Sequence, residues 1–345
     1  MQNRAQVILS GFADEGARPA REQLTLLAAL GLGYYSVRFV DLGGGVKNAM
    51  ELDRAERRQL AGLHREFGMR VASLGSPIGK VKLREVEDSS HNRFVPFARY
   101  LKDEVGRAID LAGALDTRLI RGFSFYHPRG SRPEEHLEQA ATQLRAIAEK
   151  CGEAGVFFGL EVEANLVGQN GRLLAQLHRL VDHPHLLLVF DGGNLSSQNL
   201  APDQTFAEYR AMRRGLGWMH IKDYRIDPGL KWQGFVDEER LKNFVPADQG
   251  DSAHEAILRD FRLHLPALER RLKRLGLPGV FLDLEPHLKG GGQFGGYSGP
   301  DGFGVALRAL LRLLDYAGIA YRLTDYGDIE RQKNRGRASG PPLHG

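Results

Sequence analysis

Four residues of this 345-residue chain each stand where an apolar run gives out: Glu161 in VFFGLEVEANL, Asp191 in LLLVFDGGNL, His220 in GWMHIKDY and Glu285 in VFLDLEPHL. Their separations are 30, 29 and 65 residues, one or two lengths of a strand plus a return helix of roughly 30 residues. Each therefore occupies an equivalent point in a repeating unit. Three carboxylates and one imidazole form an oxygen-rich ligand set for a single divalent cation, with positions left for water or substrate oxygens. Mn is the expected metal, with Mg, Co or Zn as alternatives. Taken singly, each residue reads equally well as a rim charge paired with Arg or Lys. Four unshared charges at matching strand ends would each carry a desolvation penalty, which a common cation removes.

Residues beside these four are candidates for holding substrate. Glu163 lies two positions from Glu161 on the same face of an extended strand. Glu161, nearer the apolar run, is assigned as the ligand, leaving Glu163 or Asn165 to orient a ligand or bind substrate. Asn194 suits a substrate hydroxyl or a loop cap. Lys222 shares a face with His220 and suits an oxyanion or phosphate, or a bridge to Asp223 or another rim acid. His287 joins the face of Glu285 if the strand runs on through Pro286. Arg38, Tyr126 and His127 complete the rim, and the glycines after His287 are expected to let the last loop clear a bound substrate.

The elements that must carry these residues follow from hydrophobic period. Strands are expected at QVILSGFA, YYSVRFVDL (Tyr34 to Leu42), MRVASLGS, TRLIRGFSFY, VFFGLEVE, HLLLVFD, GWMHIKD and from Val280, alternating with helical segments. A long helical stretch is expected from Phe94 to Ala114, a helix behind the N-cap Asp53, and YRLTD (321–325) reads as a short extra strand. Alternation of this kind predicts a single (β/α)8 barrel over residues 1–325, with a flexible tail at 326–345. Residues 224–250, with Trp232 and Phe235, form a long insertion suited to a lid. A doubly wound dinucleotide fold would need a glycine fingerprint after the first strand, and SGFADEG does not supply one.

Bulk properties narrow the function classes. Apolar residues make up 42% of the chain, enough for a substantial core, and 47 basic against 43 acidic residues give a formal charge of +4. That balance offers little support for a nucleic-acid surface. A single cysteine, Cys151, rules out an intrachain disulfide and fits a reducing compartment. No signal peptide or membrane span is apparent, so a cytoplasmic protein without membrane contact is expected.

The ordered set ADE, SPIGK, LEVE, FDGGN, HIKD, VPADQGD and LEPHL resembles the xylose-isomerase-like barrels. That family includes sugar phosphate isomerases, ketose 3-epimerases, hydroxypyruvate isomerase, inosose dehydratase and the endonuclease IV branch. The resemblance implies metal ligands at Glu161, Asp191, His220 and Glu285, with Glu161 and Glu285 as the acid/base pair. It implies isomerisation or epimerisation of a ketose or keto-sugar by proton abstraction beside a carbonyl, through an enediolate. The alternative is a lyase on a 3-keto sugar or 3-keto glycoside, acting by dehydration or C-glycoside cleavage. A carbohydrate substrate and a homo-oligomer or small partner subunit are the implied partners. The chain departs from the family at Asn194, where ketose 3-epimerases often carry His. Missing histidines of a trinuclear zinc cluster argue against DNA cleavage, and Asp248 and Gln249 replace the usual residues of VPADQGD.

Overall fold

The computed structural model describes residues 5–292 and 295–331. Eight of the apolar runs form parallel strands: β1 (Val7–Gly11), β2 (Tyr34–Val37), β3 (Arg70–Gly75), β4 (Leu119–Gly122), β5 (Phe157–Glu161), β6 (Leu186–Asp191), β7 (Leu216–Ile221) and β8 (Val280–Leu284). They lie in the order β1-β8-β7-β6-β5-β4-β3-β2, and a bridge between Phe12 and Ser36 draws β1 back towards β2. This is the expected (β/α)8 barrel. Every residue of β6 and β7 is buried, because helices cover the outer face while side chains fill the inside.

The surrounding helices are α1 (Ala20–Ala29), α2 (Arg54–Phe67), α3 (Gly106–Ala114), α4 (Leu137–Glu153), α5 (Gly171–Val181), α6 (Pro202–Met212), α7 (His254–Arg274) and α8 (Gly299–Ala317). Their starts are written in local chemistry. Asp53 caps α2 by accepting the N–H groups of Ala55 and Glu56, while Glu56 accepts from the N–H of Asp53, a reciprocal capping box. Asn170 accepts from Leu173 at the start of α5, whose Leu173, Leu174, Leu177 and Val181 are buried at helical spacing.

Strand alternation decides which residues face the barrel interior. Register pairs Asp191 with His220, and His220 with Asp283. One layer deeper, Asp283 is fully buried yet satisfied, accepting from Ser10 Oγ at 2.7 Å and from Ser36 Oγ, which also contacts Ser73 Oγ at 2.7 Å. Trp218, two residues below His220 on β7, packs its ring against Gly159. The upper inward layer is therefore left to the polar site.

Three local expectations change. Residues 34–42 make two strands rather than one: β2 stops at Val37, and Phe39–Asp41 turns out to pair with Val46–Asn48. The break falls at Arg38, whose guanidinium is drawn inward by Asp14 and Glu285. The helical stretch expected from Phe94 to Ala114 is present but begins at Phe97, and a π turn at Leu101–Val105 lies between Phe97–Tyr100 and α3. Residues 321–325 form no strand, since Thr324 spends its N–H on Gly31 O and Arg322 pairs with Asp325 and Asp328.

The insertion at 224–250 is tied down. Asp223 accepts from the N–H groups of Tyr224, Gly250 and Ser252 at its base. Buried Arg240 donates to the carbonyls of Ser197, Leu230 and Lys231 and to Asn199. Residues 326–331 are helical, and the rest of the expected tail, 332–345, lies outside the described residues. Among the described residues, no helix is long and apolar enough to cross a membrane.

Gly159 gives a direct test of the packing below the site. A Cβ there would lie 1.9 Å from Trp218 Cη2, so Gly159→Ala is expected to lower unfolding stability by about 1–3 kcal/mol. Urea melts measure this, and an unchanged midpoint would mean that the indole yields freely.

Candidate active site

The four strand-end residues converge. Ligand atoms of Glu161, Asp191, His220 and Glu285 all lie within 4.8 Å of one another. His220 Nδ1 stands 3.1 Å from Glu161 Oε1, 3.3 Å from Glu285 Oε2 and 4.0 Å from Asp191 Oδ2. The ring of Phe12 meets His220 edge to face at 5.1 Å between centroids, fixing the imidazole plane.

Hydrogen-bond donors hold the outer oxygens of Glu285 and Asp191, and a guanidinium flanks that of Glu161. Arg38 Nη1 donates to Glu285 Oε1 at 2.6 Å, the Asn194 N–H to Asp191 Oδ1 at 3.0 Å, and Arg121 Nε stands 3.2 Å from Glu161 Oε2. One oxygen of each acid is thereby turned towards His220. Asp191 Oδ2 is buried with no hydrogen-bond partner among the described residues, although Lys222 Nζ sits 3.1 Å away in ion-pair range. An orphaned anionic oxygen facing an imidazole nitrogen and two further carboxylates fits a small oxygen-preferring divalent cation.

The electrostatics report the same demand for positive charge. Burial opposes ionisation of Glu285, but Lys222, His220 and Arg38 hold its carboxyl well below the usual range. Burial likewise works against Glu161, and His220 and Arg121 still keep it low. Asp191 is pushed up to about 7 by burial, which outweighs Lys222. Burial disfavours a charged His220, yet Glu161 and Glu285 raise it to about 10.

Above the cluster opens a cavity of about 690 Å³. Glu161, Lys222 and Glu285 reach its surface, while Asp191 and His220, both fully buried, lie beneath that floor. Arg38, Tyr126, Glu163, Asn194 and His287 also line it, as do Phe235 and Val236 of the insertion. The lid expectation is thus consistent with where the insertion lies.

Several neighbours reach the site by routes other than the expected one. Strand β5 ends at Glu161, so Glu163 is set by the following turn, 3.4 Å from Lys80. Strand β8 ends at Leu284 and does not run on through Pro286. His287 instead adopts φ +54° and is anchored by Glu15, which accepts its N–H at 2.7 Å and contacts its Nδ1 at 2.6 Å. Asn194 Nδ2 donates to Glu161 Oε1 at 3.2 Å and to Val162 O at 3.0 Å, so it already orients a candidate ligand. The glycines beyond His287 serve close approach: a Cβ at Gly296 would fall 2.1 Å from His287 Nδ1, and one at Gly295 would fall 3.1 Å from Arg38 Cζ.

Sequence reasoning missed Arg121 and the anchoring task of Glu15. For Arg121 a signal existed, because TRLIRGF places a charge at a strand end by the same rule that identifies Glu161. For Glu15 there was none, since its partner His287 is 272 residues away.

If these four residues hold a cation, Glu161→Gln, Asp191→Asn and Glu285→Gln should each weaken Mn²⁺ binding by at least about tenfold, the lower end of what even outer-shell changes cost. Isothermal titration measures this alongside far-UV circular dichroism. Undiminished affinity in all three, with the fold intact, would remove the cluster as the metal site.

The profile of the xylose isomerase-like TIM barrel family matches residues 24–314. No curated protein matches the chain. Among solved structures, a xylose isomerase-like TIM barrel/4-hydroxyphenylpyruvate dioxygenase fusion protein superposes with a TM-score of 0.62 and 18% identity. The match covers 98% of this chain but only 46% of that protein, so the chain spans about half its length. A xylose isomerase-like TIM barrel protein from Mycobacterium smegmatis, in complex with magnesium, gives 0.59 and 17% over 90% of this chain and 96% of that one. A D-allulose 3-epimerase from Methylomonas sp. gives 0.58 and 15% over 90% and 99%. At these identities the likeness to the solved structures is one of fold, and the profile match over most of the sequence carries the relationship: the chain belongs to the xylose isomerase-like TIM barrel family.

Proposed function

We propose that the protein is a divalent-metal-dependent isomerase or epimerase of a ketose or keto-sugar. The observation that carries this reading is the placement of two carboxylates, Glu161 and Glu285, on either side of His220 and both at the cavity floor. A cation bound by Glu161, Asp191, His220 and Glu285 would supply Lewis-acid polarisation of a carbonyl and its neighbouring hydroxyl. Glu161 and Glu285 would do the proton work. Their pKa values are held low by surrounding cations, so each is available as a base. One removes the proton next to the carbonyl, and the other returns a proton to the opposite face of the enediolate in epimerisation. Isomerisation instead moves the proton between adjacent carbons.

The remaining residues position and stabilise. Arg38 and Arg121 fix the outer oxygens of the two acids, which sets the direction of their proton-accepting oxygens. Glu163, Asn194, Tyr126 and His287 would contact substrate hydroxyls from the cavity wall. The family fold is shared with a D-allulose 3-epimerase, which supports the sugar class.

A lyase acting on a 3-keto sugar or 3-keto glycoside is the second reading, since β-elimination begins with the same proton abstraction. It is favoured by the cavity, whose volume of about 690 Å³ lies well inside the roughly 300–1,000 Å³ of pockets for drug-sized ligands. The outer wall at Tyr126, His127, Phe235 and Val236 would hold a second ring. No comparable observation favours nucleic acid.

Solvent deuterium incorporation into free ketoses, 3-keto sugars and 3-keto glycosides separates these readings. Exchange without loss of a leaving group is expected for the leading one, and release of water or an aglycone would move the assignment to lyase. Glu161→Gln and Glu285→Gln should each lower turnover by about 10²–10⁴. Wild-type rates in either variant would sink the two-acid mechanism.

A further inference from the structure

Lys222 occupies an unusual station. Its Nζ lies 3.1 Å from Asp191 Oδ2 and 3.2 Å from Glu285 Oε2, and these are the oxygens turned towards His220. Its side chain is 4% exposed and forms part of the floor that separates the cavity from Asp191 and His220. The stem is seated against Gly193, where a Cβ would fall 2.8 Å from Lys222 Cγ.

The other cations near the cluster are clamped from outside it. Arg38 is held by Asp14 at 3.0 Å as well as by Glu285, and Arg121 also donates to Ser76 O at 3.3 Å. Lys222 has no comparable outer acceptor for its ammonium among the described residues. Its ion-pair partners are the inner oxygens, and the Phe244 ring on the cavity wall lies 5.6 Å away.

We propose that Lys222 is a displaceable internal cation: it neutralises Asp191 and Glu285 in the metal-free protein and must leave those oxygens when a divalent ion binds. This rests on the metal-site reading above. Two cations cannot share the same buried oxygens without strong repulsion at low dielectric. Arg38 and Arg121 are fixed, so Lys222 is the one that moves, towards Phe244 and the cavity. There its ammonium becomes a donor for a substrate oxygen. The residue thus couples metal loading to completion of the substrate pocket, at the expense of metal affinity.

The test compares Mn²⁺ dissociation constants of wild type, Lys222→Met and Lys222→Arg by competition with a fluorescent chelator. Lys222→Met should bind at least about tenfold more tightly than wild type, and Lys222→Arg, which keeps the charge, should not. The metal-free Lys222→Met protein should also melt at a lower temperature than metal-free wild type, with Mn²⁺ restoring the loss. Equal or weaker binding by Lys222→Met, when wild type binds, overturns the proposal and makes Lys222 a spectator or an orienting residue. Failure of wild type and Lys222→Met alike to bind overturns the metal site and the proposal with it. Should Lys222→Met not fold, reductive methylation of wild type with peptide mass mapping decides: Mn²⁺ should raise labelling of Lys222 several-fold, and unchanged or reduced labelling overturns the displacement.

Discussion

Three carboxylates buried at the end of a barrel need positive charge, and the architecture around Glu161, Asp191 and Glu285 is arranged to supply it. Burying an anion without compensation is costly enough that the group would otherwise take up a proton. Arg38, Arg121 and Lys222 each lie within ion-pair distance of one of these acids. Their placement has structural consequences well beyond the site. Strand β2 ends where Arg38 turns inward, and Gly193 is required beside the Lys222 stem. The glycine-rich hairpin after β8 packs against Arg38 and His287.

The division of labour between the two oxygens of each acid is what makes the cluster chemically capable. The outer oxygens of Glu285 and Asp191 accept from Arg38 and from the Asn194 N–H, and Arg121 lies in ion-pair range of the outer oxygen of Glu161, which restrains rotation of the carboxylates. Inner oxygens face a common point with His220. This preorganisation spares the carboxylates themselves a reorganisation when a cation or a developing charge arrives. It also explains why Asn194 belongs to the orientation of the site: its backbone holds Asp191 and its side chain holds Glu161. One five-residue helix, Gly192–Ser196, thereby couples two neighbouring strand ends.

The second organising layer is the wall of the cavity. It is built from loops far apart in the chain, with Tyr126 and His127 after β4 facing Phe235 and Val236 of the insertion. Asp223 and Arg240 fasten that insertion at its base and middle. A rim assembled this way can change its outer residues without disturbing the floor, because the barrel strands carry the acids and the loops carry the wall.

The order of strands and helices, the barrel, and the convergence of Glu161, Asp191, His220 and Glu285 were legible in sequence, because each depends on local period and on the near-constant length of a strand–helix unit. Strand alternation alone places a residue on the inner face once its strand is identified. The same reasoning overextended β5 to Glu163 and left open whether β8 runs on through Pro286, since where a strand stops is decided by what competes for the backbone and side chains in three dimensions. The anchoring of His287 by Glu15, the inward turn of Arg38, the use of Arg121 and the bridging of Asp191 and Glu285 by Lys222 were decided by tertiary structure. These pairs link strands separated by tens to hundreds of residues, and no local pattern records which charge will find which partner. Residue type and spacing determined that the barrel's end would be acidic; only closure of the ring determined how that acidity is balanced.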